Sequence, residues 1–214
     1  MKIKWFVLIM ALALPSLAFG LERVAVGHLI GKPVSLVRDG KIKDLRDKET
    51  DLIEGDRIET GPEGKLKLVF ETGDVVYLGP DSTLEVSAPP KAKLSLNPLI
   101  QLKLTGKLRA LVAKRSDTTF RVRTVRAVVG VKGTDFVVED VVEQTKVSTL
   151  KGLVSLGSLK NQQEIDVPAG KSSTVDVMGA IMPLSEIAGD VLQGVEISGK
   201  KLSVEEAAGQ KVTF

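Results

Sequence analysis

Apolar and polar residues alternate in short runs along most of the chain, and turn residues separate the runs. Residues 55–86 carry the pattern most clearly. There Gly55-Asp56, Gly61-Pro62, Gly73-Asp74 and Gly79-Pro80 punctuate the alternation. A two-residue period broken every few residues predicts short paired strands. In residues 65–70, Leu66, Leu68 and Phe70 share one face while Lys65 and Lys67 take the other. The same reading gives strands over 34–37, 57–60, 75–78 and 83–86. Asp39-Gly40 makes a hairpin-type turn into residues 41–45. Residues 43–54 are charged and read as loop.

Residues 87–98, SAPPKAKLSLNP, hold three prolines and read as a linker with its centre at 89–98. It separates a first β subdomain, 21–88, from a second, 99–178. In the second, Ile100, Leu102 and Leu104 alternate with Gln101 and Lys103, and Phe120, Val122 and Thr124 alternate with Arg121 and Arg123. Further strands are predicted over 136–142, 145–150, 153–156, 164–167 and 173–177. Turns recur about every ten residues, so the expected fold is all-β: a barrel, a sandwich or a short solenoid. No strict repeat is visible, which argues against a long regular solenoid. The tail, 179–214, changes period. Leu184, Ile187, Ala188, Val191 and Leu192 fall on one helical stripe, with Pro183 at the start and Gly194 past the end. One helix is expected over 184–193, and Ser203 and Glu206 form a capping box for a further turn.

The first twenty residues stand apart. Lys2 and Lys4 precede an apolar run over 5–14, Pro15 and Ser16 break it, and Ala18-Phe19-Gly20 supplies small residues. This is the layout of a cleaved secretory signal peptide, 1–20. Its apolar run rises only about 15 Å as a helix, too short to span a bilayer. The expected location is therefore periplasmic or secreted, with no membrane span after cleavage. Without the leader's two lysines, the chain's 30 basic residues become 28, against 27 acidic ones. Near-neutrality argues against nucleic acid as a partner. The chain has no cysteine, so packing and strand ladders must supply stability.

Candidate chemistry is sparse. His28 is the one histidine, and a hydrolytic triad would have to use it. One histidine without cysteine leaves no nitrogen- or sulfur-ligated zinc site, and no cofactor is expected. Asp47, Glu49, Asp51, Glu54 and Asp56 cluster, but not at EF-hand spacing, and read as a solvated turn. A basic stretch over 107–126 includes Arg109, Arg121, Arg123 and Arg126, the candidate partner-binding residues. Such a stripe would attract an acidic peptide or an anionic surface. Alternatively, its cations pair locally with Asp135, Glu139, Asp140 and Glu143. In GVKGTDF, 130–136, Gly130 and Gly133 suit a tight crossing between strands, with Thr134 and Asp135 bonding the turn.

These segments together resemble the FecR domain family. The resemblance rests on Gly55, Asp56, Ile58, Thr60, Gly64, Leu66, Leu68, Phe70, Gly73, Val76 and Leu78, followed by Pro80, Ser82, Leu84 and Val86. It continues through Leu104, Gly106, Leu108, Phe120, Val122, Thr124, Gly133, Thr134, Phe136 and Val138, and closes around Gly152, covering about residues 50–176. It implies short, L-shaped β-solenoid-like units outside a cytoplasmic membrane, in regulators of iron-siderophore signalling. The family's transmembrane anti-sigma members carry a cytoplasmic N-terminal region, where this chain has the expected leader. The expectation is a free-standing, non-enzymatic exported FecR-like domain that binds a protein or an anionic envelope polymer. A peptidoglycan- or carbohydrate-binding wall module is the alternative, and a hydrolytic enzyme is third. The oligomeric state is left open.

Overall fold

The computed structural model describes residues 23–87, 99–114 and 119–196. The signal peptide, the proposed linker 89–98 and the Ser203–Glu206 capping box lie outside the described residues. The first half contributes β1 (Arg23–Gly31), β2 (Val34–Arg38), β3 (Lys41–Asp44), β4 (Glu49–Ile53), β5 (Arg57–Thr60), β6 (Lys65–Phe70), β7 (Val75–Leu78) and β8 (Thr83–Ser87). β9 (Leu99–Leu111) follows. The second half adds β10 (Thr119–Arg123), β11 (Ala127–Val131), β12 (Asp135–Val141), β13 (Gln144–Lys151), β14 (Leu153–Ser158), β15 (Glu164–Pro168), β16 (Lys171–Asp176) and β17 (Ser185–Glu186). No helix occurs among the described residues.

The strands form two layers. Sheet I runs β4-β1-β6-β7-β9-β12-β13-β16-β17. Sheet II runs β3-β2-β5-β8-β9-β10-β11-β14-β15. All these pairings are antiparallel except β9–β10. β9 belongs to both sheets: Gln101–Thr105 pair with β8, and Gly106–Leu111 pair with β12. The change of sheet falls at Gly106, whose φ is +97°. A Cβ there would lie 2.4 Å from the Ser82 hydroxyl and 2.7 Å from its Cα. Only glycine combines that backbone with that approach.

The alternation seen in the sequence decides what lies between the layers. Leu66, Leu68 and Phe70 of sheet I and Leu84, Leu102, Phe120 and Val122 of sheet II enter one buried cluster. Phe120 meets Phe70 and Phe136 edge to face, with centroids 6.2 and 6.3 Å apart. These contacts tie the sheets together. The cluster takes side chains from both sides of the 89–98 stretch.

Two local expectations change. β4 falls inside residues 43–54, read above as loop, because its Glu49, Thr50 and Asp51 mask a strand that pairs with β1 at a sheet edge. The helix expected over 184–193 is absent. Ser185–Glu186 pairs with β16, and Ala188 to Val195 is a chain of turns. In those turns Val191, Gln193 and Val195 donate to the carbonyls three residues back, at 2.9–3.2 Å. A ten-residue helix is marginal alone, and Gly189, Asp190 and Gly194 weaken it further. The same apolar residues are buried differently. Val191, Leu192 and Val195 pack on the outer face of sheet I against Val75, Tyr77, Leu111 and Val137. Beside this strap, Glu196 lies near Lys65 (3.9 Å).

Candidate partner-binding face

The four candidate arginines divide into two pairs. Arg109 points outward from sheet I, but the strap side is closed and it is only 7% exposed. Its guanidinium donates two parallel bonds to Asp135, at 2.9 and 2.7 Å. Arg126 donates to Asp140 (3.2 Å), to the Val141 carbonyl (3.1 Å) and to the Val142 carbonyl. Asp140 is buried and also accepts from Thr145 at 2.5 Å. Burial raises the Asp140 carboxyl above its ordinary value, while the Thr145 and Arg126 contacts act the other way. Lys107 faces Glu139 at 3.9 Å. Local pairing thus accounts for Arg109, Arg126 and Lys107. Arg121 and Arg123 differ: both are exposed on the outer face of sheet II, with no hydrogen bond or ion pair among the described residues.

Strand register builds a site around them. Arg121 stands opposite Gly130, Gly130 opposite Ser155, and Ser155 opposite Asp166. One step along the strands, Arg123, Val128, Gly157 and Glu164 follow in the same order. β10 therefore supplies a cationic wall and β15 an anionic one. β11 and β14 form the floor, which bears glycine at Gly130 and Gly157. The result is a trough of about 500 Å³ with Lys132 and Leu153 also in its lining. Ser155 donates to Glu164 across the anionic side. Three strand spacings separate the walls, about 14 Å.

The motif residues are mostly architectural. The buried Asp56 carboxylate takes two 2.7 Å bonds from Arg38 and one of 2.9 Å from the Ile53 amide. The Thr60 hydroxyl donates to the Gly79 carbonyl (2.7 Å) and accepts from the Ser82 amide (2.9 Å). Gly64 lies against Pro33, where a Cβ would be 2.1 Å from its carbonyl oxygen. Gly55, Gly73 and Gly152 sit in turns at positive φ. Gly133 has φ +72° at the crossing from β11 to β12, and a Cβ there would meet Lys114 at 2.6 Å, as a tight crossing requires. Phe136 is fully buried.

Two details of GVKGTDF differ from expectation. Gly130 is an ordinary strand residue, without positive φ. Thr134 and Asp135 do not bond the turn: the Thr134 hydroxyl is buried without a partner, and Asp135 turns to Arg109. The Thr134 backbone is tied down instead, as the Val112 amide, just past β9, donates to its carbonyl (2.8 Å).

His28 lies between β4 and β6. Its Nδ1 is 3.5 Å from Glu49 without hydrogen-bond geometry, and it is buried and unbonded. Burial holds the imidazole below its ordinary pKa, opposed by Glu49 and aided by Lys67. The acidic cluster disperses: Asp47 faces Lys43, Asp51 faces Arg23, and Asp56 faces Arg38. No group of three or more carboxylate or imidazole side chains among the described residues is placed to hold a metal ion.

The family model described as FecR protein matches residues 56–155. The chain carries a FecR domain. That FecR domain holds β10, β11 and the cationic wall of the trough, and the carboxylates of β15 lie beyond it. Two crystal structures of a candidate anti-sigma factor from Parabacteroides distasonis ATCC 8503 share the fold, each with a TM-score of 0.53. Their identities are 18% and 19% over 63% of this chain, and the match spans 61% of that protein's chain. At such identity the likeness concerns the fold alone. No curated protein gives a significant match.

Sequence reasoning singled out Arg121 and Arg123 but missed Ser155, Gly157, Glu164 and Asp166. The signal was available in the alternation. Val154 and Leu156 point inward, which turns Leu153, Ser155 and Gly157 outward, and Val167 does the same for Glu164 and Asp166.

Proposed function

We propose that the chain is exported and acts as a non-enzymatic FecR-like β-domain that binds a protein partner in envelope signalling. The observation that carries this reading is the contrast among the arginines. Arg121 and Arg123 have no ion pair among the described residues and stand on an open sheet face, whereas Arg109 and Arg126 are consumed by internal pairing. Free cations beside a shallow concavity favour recognition by charge and shape. The FecR domain and the shared fold with an anti-sigma factor support a regulatory role, and the basic lead with its apolar run supports export. His28, without a bonded nucleophile or orienting carboxylate, gives a hydrolytic reading no support. Sugar recognition is also disfavoured, since Phe70, Tyr77, Phe120 and Phe136 are all buried. No described ring is left for a sugar face to stack on.

The test is affinity capture from envelope extract with the chain lacking residues 1–20, beside its Arg121→Glu/Arg123→Glu variant. A specific protein retained by the first and lost by the second is the expected result. Equal capture by both, or none by either, would remove the reading. Sedimentation with purified sacculi separates it from a wall-binding module.

A further inference from the structure

The floor of the trough poses a question of composition. Glycine in a strand interior gives up side-chain packing and order. Neither Gly130 nor Gly157 has positive φ, so the backbone does not require glycine there. Packing does not require it either. A Cβ on Gly130 would meet nothing within 4 Å, and on Gly157 nothing nearer than 3.7 Å. Their smallness matters only to something approaching from outside. The walls say what that is. Arg121 and Lys132 line the trough on its cationic side, with Arg123 next along the same face of β10, and Glu164 and Asp166 line the other, so a uniformly charged polymer would be repelled by one wall. The ligand must be bipolar across its width.

We propose that this trough receives a single extended polypeptide whose side chains alternate between acidic and basic. The inference rests on the partner-binding reading above and specifies its ligand. Three features argue for it. A strand projects successive side chains to opposite sides, so alternating charges reach the two walls at once. Residues two apart on an extended chain repeat every ~6.7 Å, the same step that separates Arg121 from Arg123 and Glu164 from Asp166. The floor is also concave. An extended chain fills a space ~14 Å between walls, whereas a second flat sheet face would leave the glycine floor empty.

The probe is a fluorescein-labelled octapeptide in which glutamate and lysine alternate, titrated with the purified full chain and followed by anisotropy at low and at physiological salt. The comparison is a block peptide of identical composition, with all its glutamates preceding all its lysines. The alternating peptide is expected to bind at least tenfold more tightly than the block peptide, and Arg121→Glu/Arg123→Glu should abolish the difference. Gly130→Val provides the decisive variant. It fills the floor where space is open and suits a strand, so it should weaken binding tenfold or more while leaving the melting temperature unchanged or higher. Equal binding of the two peptides, no binding of either, or full binding by Gly130→Val would overturn the proposal. So would concentration-dependent dimerisation abolished by the same arginine substitutions, which would assign the face to a second copy. Envelope capture that depends on Arg121 and Arg123 while the peptide fails would sink this inference alone. Peptide binding with arginine-independent capture would sink the partner reading alone.

Discussion

Across sheet I, Lys67, Tyr77, Arg109 and Val137 stand side by side on the outer face, and all four are buried. Across sheet II, Arg121, Gly130, Ser155 and Asp166 stand in the same relation and are open to solvent or half-buried. Both faces belong to one sandwich and both look outward by strand parity. What separates them is the company each row keeps. Val69, Val75, Leu111 and Leu150 surround the first row and give the strap apolar surface to cover. Among the described residues lining the trough, Val128 and Leu153 do so for the second, and Val131 belongs to the inner core. A sheet face thus becomes a second small core or a binding surface according to a few outward residues, with the inner packing unchanged.

The comparison can be broken most forcefully at Asp135. Removing it by Asp135→Ala leaves the Arg109 charge buried and uncompensated, a loss of about 3–5 kcal/mol. Urea denaturation measures this, and a change below about 1 kcal/mol would mean that Arg109 reaches water as freely as Arg121. Gly133→Val strains a left-handed turn and drives a side chain into Lys114. It should cost about 1–3 kcal/mol, and an unaltered melting temperature would reject the tight-crossing assignment.

A smaller effect concerns pH. His28 is held below its unfolded value of 6.5 mainly by burial. Just below that value the unfolded chain binds more protons than the folded one. Stability contributed by neutral His28 is therefore complete above about pH 6.5 and declines as pH falls toward the lower folded pKa. Melting temperatures of the wild type should drop through that window, and His28→Gln should lack this component. Parallel profiles would show that the histidine is not buried. The smallest effect belongs to the open face: Arg121→Ala and Arg123→Ala should each change stability by less than about 0.5 kcal/mol. A larger loss would mean that sheet II hides a partner for them.

Strand parity was readable from the sequence wherever apolar residues alternate cleanly. Leu66, Leu68 and Phe70 lie inward and Arg121 and Arg123 outward, as their spacing requires. Parity does not reveal which outward residues meet a partner from far along the chain. Arg109 and Arg121 look alike in sequence, yet β9 lies beside β12, which brings Asp135 to Arg109, while no described residue does the same for Arg121. Nor could the stripe over 184–193 show its destination. A helical spacing of apolar residues also serves a run of turns laid on a sheet, and the order of the strands beneath decides between them. The anionic wall escaped notice because β15 is short and charged, and its meaning depends on lying three strands from β10.

The shared strand has an evolutionary corollary. Because side chains alternate, inserting one residue into β9 before Gly106 would invert the orientation of its partners' contacts on β8 and β10 together. An insertion after Gly106 would do the same to β7 and β12. Homologous chains should therefore vary in length at the hairpin tips and keep a constant number of residues through this strand.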